Sequence, residues 1–111
     1  MTNYKKGARF EYEIYHLLKP NSILTTRTAG SHSAVDIISI SQNTLRLIQA
    51  KTSVKTTLTD RLRKNPDLNI ADIAKYDSDV LKLQKLPARH ISISRELWIK
   101  EFRKPILKFK I

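Results

Sequence analysis

Apolar residues near the start of the chain recur at helical spacing. Phe10, Ile14, Leu17 and Leu18 fall on one stripe of KKGARFEYEIYHLL, which predicts a helix over residues 5–18, and Pro20 stops it. The period then changes from that of a helix to two. ILTTRT, VDIISI and LRLIQAK predict strands over 23–28, 35–40 and 45–51. A short Ala-Gly-Ser-His-Ser turn follows the first, and the polar SQNT connection links the other two, so the three strands read as an antiparallel meander. Residues 52–68 are polar and basic and read as a loop. Asn69, with Asp72 three positions on, predicts the cap of a second helix over 70–86, with Ile73, Tyr76, Val80 and Leu83 as its apolar stripe and Pro87 as its stop. ARHISIS alternates as a strand over 88–94. ELWIKEFRKPILKFKI admits a short helix or a strand in its first half and alternates like an edge strand at its end. No repeat, low-complexity tract or domain boundary interrupts residues 1–111, which read as a single α/β domain.

The same alternation points to chemistry. In LRLIQAK it puts Leu45, Leu47, Gln49 and Lys51 on one face and Arg46, Ile48 and Ala50 on the other. Asp36, set between Val35 and Ile37, is the only acidic residue between Tyr15 and Thr59. Two readings account for it. In the first, Asp36 is a buried residue that satisfies a backbone group or an arginine. In the second, Asp36 and the Gln49 amide oxygen hold a hard divalent cation such as Mg²⁺, and the Lys51 ammonium orients water or offsets developing negative charge. Glu11 lies about 100° round the first helix from Phe10, at the margin of the buried stripe, where an acid can face the sheet. Glu13 points to the other side and reads as a surface charge.

Charge narrows the class of partner. The chain has 21 Lys and Arg against 10 Asp and Glu, a formal net charge of +11 distributed over both halves, which points to a polyanion and above all to nucleic acid. Lys5, Lys6 and Arg9 beside the first helix, and Lys55, Arg61, Arg63 and Lys64 in the basic segment, are the residues placed to follow a phosphate backbone. A simple basic binder is the bland alternative, but such a protein gains nothing from a lone carboxylate in its most basic half. The absence of Cys excludes disulfides and thiolate metal sites. His16, His32 and His90 lack metal-ligand spacing, and two glycines do not make a phosphate-cradling loop. Trp98 and the tyrosines read as core or interface residues rather than base-stacking platforms. No apolar run approaches the ~20 residues that span a bilayer, and no signal-peptide segment opens the chain, so the expectation is a cytoplasmic protein with no membrane partner.

Taken in order, KGARFE, R-T-A-G-S, VDII and LIQAK resemble the archaeal Holliday junction resolvases of the PD-(D/E)XK, or restriction-endonuclease-like, nuclease superfamily. The resemblance runs through residues 6–53 and more loosely through 70–94. It implies an α-β-β-β-α-β core with a mixed central sheet flanked by helices. The implied activity is that of a Mg²⁺-dependent endodeoxyribonuclease, with Mn²⁺ as a substitute, that works as a homodimer and makes paired symmetric nicks in branched DNA. On the matching positions Glu11, Asp36 and Gln49 would form the metal site, Arg27 would contact the scissile phosphate, Ser31 (or nearby Ser33) would be the serine of the turn, and Lys51 the catalytic lysine. The family usually has Glu where this chain has Gln49, which costs the site an anionic ligand. Mrr-type restriction enzymes and a transposon end-cleaving nuclease look similar in carrying Gln-x-Lys. A duplex-cutting nuclease of restriction or transposition type and a catalytically silent basic nucleic-acid-binding protein are therefore the alternatives to a junction resolvase. The small size, with little beyond the nuclease core, suggests a mobile or viral genome, and the resemblance implies an archaeal cell or an archaeal virus as the owner.

Overall fold

The chain's structure, a computed structural model, describes residues 3–28, 34–86 and 92–111. Helix α1 (Asn3–Leu18) runs into a 3-10 turn (Lys19–Asn21) and then strands β1 (Leu24–Arg27), β2 (Ile37–Ile40) and β3 (Leu45–Ser53). Helix α2 (Thr57–Lys64), two 3-10 turns (Ile70–Asp72 and Ala74–Tyr76) and helix α3 (Asp77–Gln84) lead to strands β4 (Ile93–Glu101) and β5 (Leu107–Lys110). The strands form one mixed sheet in the order β1-β2-β3-β4-β5. Three pairings are antiparallel, and β3 and β4 are parallel over their whole length, from Leu45 beside Ile93 to Ser53 beside Glu101. The mixed sheet with helices against it is the α/β architecture that the strand pattern and the resemblance predict.

Period-two alternation gives the sheet two apolar faces and hence two cores. On one face α1 lays Phe10 and Ile14 against Ile37, Ile48 and Trp98, with Leu18, Ala50 and Ile106 at the margin. Leu17, in the last turn of the helix, is left about half exposed at 52%. On the other face Leu97 and Ile99 meet Leu58 of α2, the turn residues Ile70, Ile73 and Tyr76, and Val80 and Leu83 of α3. A parallel pair needs a long crossover between its strands, and here that crossover supplies the second layer.

Three segments differ from the periodicity reading. The basic loop predicted over 52–68 begins as the end of β3 and then contains α2. Leu58 and Leu62, one turn apart, give that helix its apolar side, and its first N–H groups are accepted from a distance: the Glu101 carboxylate takes Leu58 N–H at 3.2 Å and Thr59 N–H at 2.6 Å. No local pattern announces such a cap. The helix ends at Asn65, whose backbone is kept out of helical geometry before Pro66. The helix predicted over 70–86 is instead two 3-10 turns followed by α3. Ile73 is extended (φ −93°, ψ 109°) between the turns, and Asn69 caps the first by accepting Ala71 N–H at 3.0 Å. The spacing explains the change: Ile70, Ile73 and Tyr76 are three apart, the period of a 3-10 turn, and only Tyr76, Val80 and Leu83 have α-helical spacing. Finally, the strand predicted over 88–94 is β4, which begins at Ile93 and takes in the ambiguous ELWIKE. Residues 88–91, like Pro87, lie outside the described residues. Leu97, Trp98 and Ile99 are all buried because β4 is covered on both faces, so no alternation marks them.

A buried ion pair stands on the α1 face. Arg46 grips Glu96 with two bonds of 2.8 and 2.9 Å, and the Trp98 indole N–H donates to the same carboxylate at 2.9 Å. Burial by itself would raise the Glu96 carboxyl, but the hydrogen bonds from Arg46 and Trp98 and the guanidinium charge outweigh it and hold the group below its ordinary 4.5. Its stabilising contribution is therefore complete above that ordinary value and is lost as the pH falls through the lower folded value. Glu96→Gln is expected to lower stability at neutral pH and to flatten the acid limb, as read by denaturant midpoints across the acid range. Glu101→Ala leaves two N–H groups of α2 without their acceptor. It is expected to cost about 1–3 kcal/mol and to speed hydrogen exchange at Leu58 and Thr59 above that at Ile48.

Candidate active site

Asp36 sits where three strands meet. Its N–H donates to Ile48 O at 2.8 Å on β3, its carbonyl accepts Thr28 N–H at 2.9 Å just past β1, and one carboxylate oxygen accepts Ala50 N–H at 2.9 Å. The Asp36 side chain thus satisfies a backbone group, as the first sequence reading holds, and keeps its second oxygen for other partners. Burial raises its carboxyl above the ordinary 3.8. The Glu11 and Asp79 carboxylates push in the same direction, against the Ala50 N–H and the Lys51 ammonium. Three further charged side chains therefore act on this one carboxyl.

Gln49 and Lys51 flank Ala50 and, by strand alternation, share the face covered by α3. The Gln49 side-chain oxygen is buried and has no hydrogen-bond partner among the described residues. A bare acceptor in such a place is costly unless something fills it. Lys51 Nζ lies 3.2 Å from Asp79 Oδ1 on the first turn of α3, an ion pair whose lysine is half-exposed and whose carboxylate is buried. Glu11 reaches from α1 to Arg27 Nη2 at 3.3 Å, while the Arg27 guanidinium lies over the Tyr12 ring at 4.0 Å. Helix α1 thus holds Arg27 by a carboxylate and an aromatic face one residue apart. The Arg27 Nε–H is buried and has no partner among the described residues, so this donor of the fork is left over.

Glu11, Arg27, Asp36, Gln49 and Lys51 are therefore gathered around the junction of β1, β2 and β3. Ser31 and Ser33 lie outside the described residues. Sequence reading missed Asp79. The signal was present: Asp79 falls between Tyr76 and Val80 on the buried stripe, an acid among apolar positions just as Asp36 is. Among the described residues no three Asp, Glu or His side chains are close enough to make a metal site by themselves. The donor set that fits a hard cation is Asp36 with the unpartnered Gln49 oxygen, completed by water or phosphate, in keeping with a Mg²⁺ ion that takes one or two carboxylates and substrate oxygens.

Beyond the end of β3 opens a groove of about 880 Å³ between the start of α1 and the β4–β5 turn. Lys6 and Arg9 line it, as does Lys55, together with three cations the sequence reading passed over: Lys75, Lys100 and Arg103. Of its two acids, Glu101 is turned inward onto α2 and Glu13 alone borders it from α1. Arg61, Arg63 and Lys64 are exposed on α2 and Lys5 on α1, and none of these four lines the groove. No helix among the described residues is long and apolar enough to cross a membrane.

Three comparisons bear on these features. None of the curated proteins matches the chain. Among solved structures, that of Hjc from Archaeoglobus fulgidus, a Holliday junction resolvase of an archaeal hyperthermophile, is similar in fold. The two are 22% identical with a TM-score of 0.59, over 92% of this chain and 73% of that one. The model of the archaeal Holliday junction resolvase family (Hjc) matches residues 2–76, a stretch that holds Glu11, Arg27, Asp36, Gln49 and Lys51. The order of these residues along α1, β1, β2 and β3, and the sheet that gathers them, accord with that match, and the chain belongs to the archaeal Holliday junction resolvase family.

Proposed function

We propose that the protein is a Mg²⁺-dependent endonuclease that resolves four-way DNA junctions by paired symmetric nicks, working as a homodimer. Family membership supports junction resolution, and one observation carries the chemistry. On the sheet face covered by α3, the Gln49 side-chain oxygen is a buried acceptor with no partner among the described residues, and it fits a cation. On the α1 face the Arg27 Nε–H is a buried donor with no partner among the described residues, and it fits a phosphate.

In this reading Asp36 and Gln49 hold the ion and Glu11 contributes through water. The bound ion supplies a nucleophilic water at neutral pH and screens the phosphate charge. Arg27 fixes the scissile phosphate with its planar fork, held in place by Glu11 and Tyr12. Lys51 orients the attacking water and opposes the negative charge that grows on the phosphorus oxygens as the new bond forms. The groove beyond β3 carries the adjoining backbone. Phosphate contacts of this kind are blind to sequence, which suits an enzyme that recognises a branch. The homodimer matches the two-fold substrate, as symmetric cutting demands. Trp98, which the sequence allows as a core or an interface residue, is fully buried in the α1 core and is not available to a second copy, whereas Leu81 of α3 and Phe102 in the β4–β5 turn are exposed apolar residues.

Gln49 also favours a second reading, a duplex-cutting enzyme, because nucleases of restriction and transposition type look similar at Gln-x-Lys. Cleavage of a labelled four-way junction beside its linear arms, with Mg²⁺, Mn²⁺ or chelator, separates the two. Paired nicks on the junction alone, lost in chelator, are expected, and equal cutting of plain duplex would favour the second reading. Binding without cutting under every metal would overturn both. Asp36→Asn is expected to abolish cleavage and to leave junction binding intact in a gel-shift titration, and retained cleavage would sink the site. Lys55→Ala with Lys75→Ala is expected to weaken junction binding and to reduce the slope of log K against log[salt] by about two.

A further inference from the structure

Lys51 does not stand alone, and its partner comes from outside the strands. The family places a carboxylate two residues before the lysine, and this chain has the neutral Gln49 there. Nothing on β3 itself therefore balances the ammonium. The balancing charge is Asp79, 3.2 Å away, carried by the first turn of α3. Asp79 is only 8% exposed beside Tyr76 and Val80, in a layer built mainly of apolar side chains. An ionised carboxylate there needs a partner, and among the described residues Lys51 is the cation that pairs with it. Residue 79 lies beyond the matched stretch of residues 2–76, so the match assigns it no role.

Resting on the proposed nuclease reading, we infer that Asp79 is a positioning residue: from α3 it takes over the charge that Gln49 lacks, holding the Lys51 ammonium on the sheet face beside Asp36. The placement has a physical advantage. A carboxylate at residue 49 would compete for the cation as well as for the lysine, whereas Asp79 anchors Lys51 and leaves the Gln49 oxygen unengaged. Its place in the first helical turn suits a carboxylate, because the helix dipole favours negative charge there. The bland alternative is that the pair merely ties α3 to the sheet.

The test compares wild type, Asp79→Asn, Asp79→Glu and the double variant Asp79→Asn with Gln49→Glu. Each is measured for single-turnover junction cleavage, junction affinity, melting temperature and the Lys51 ammonium resonance of the metal-free protein. Asp79→Asn should slow cleavage about 100-fold, the scale of loss for a reacting group misplaced by about 1 Å, with affinity changed less than twofold. The Lys51 signal, held by the ion pair in wild type, should broaden away. Glu at residue 49 in the double variant, or Glu at residue 79, should recover both cleavage and the signal. A merely structural tie predicts a lower melting temperature with cleavage unchanged by Asp79→Asn in the folded protein, and that result overturns the inference. So does a loss of cleavage that neither Glu variant restores. A wild-type protein that keeps its Lys51 signal but cuts no DNA under any metal would instead overturn the nuclease reading and leave the ion pair standing.

Discussion

Because β3 and β4 run parallel, side by side through nine residue pairs, the chain between them has to cross one face of the sheet before it can return. Nearly everything that distinguishes the molecule from a bare meander follows from that crossing. It brings α2, the two 3-10 turns and α3 onto the face where Gln49 and Lys51 stand. It buries Leu97 and Ile99 from the second side, and it closes on Glu101, whose carboxylate, at the far end of β4, caps the helix that began the crossing. The opposite face, with α1, could be assembled from the first half of the chain together with Trp98.

The way charge is spent explains how so basic a chain folds. Four of the ten acids are used inside or in pairs: Glu96 against Arg46 and Trp98, Glu101 on the start of α2, Asp79 against Lys51, and Glu11 against Arg27. The surplus cations are left at the surface, six of them around a single groove. Burying the acids also has a local cost. Asp36, with Glu11 and Asp79 nearby, is left where an added cation is favourable.

How much of this the sequence discloses depends on the range of the interactions concerned. The α1 stripe, the three meander strands and the residues Glu11, Asp36, Gln49 and Lys51 are legible because each rests on spacing within a few residues or on an acid out of place among its neighbours, whereas Arg27 is singled out only by the family resemblance. Helix α2 is not legible, since its cap, Glu101, is 43 residues away from Leu58. Strand β4 is hidden for a different reason: being covered on both faces, Leu97-Trp98-Ile99 has no period to read. The three-residue spacing of Ile70, Ile73 and Tyr76 marks the 3-10 turns, but Ile73 and Tyr76 also fit a helical stripe with Val80 and Leu83, and that stripe hides it. Asp79 was legible by the logic that singled out Asp36, but its partner could not be known until α3 was placed over β3. The cations Lys75, Lys100 and Arg103 carry no local mark at all, and only the fold brings them beside Lys6 and Arg9.

The parallel pairing also has a consequence in time. Contacts within the meander span a dozen or so residues, whereas Leu45 and Ile93 must find each other across 48, and chain closure over such distances is the slow part of building a sheet. Arg27, Asp36 and Lys51 can therefore be neighbours on a half-built chain well before Asp79 arrives to hold the lysine. On this ordering, the ion pair that joins α3 to β3 is among the last features to form, and for part of its folding the chain holds Lys51 on a paired strand with no carboxylate to steady it.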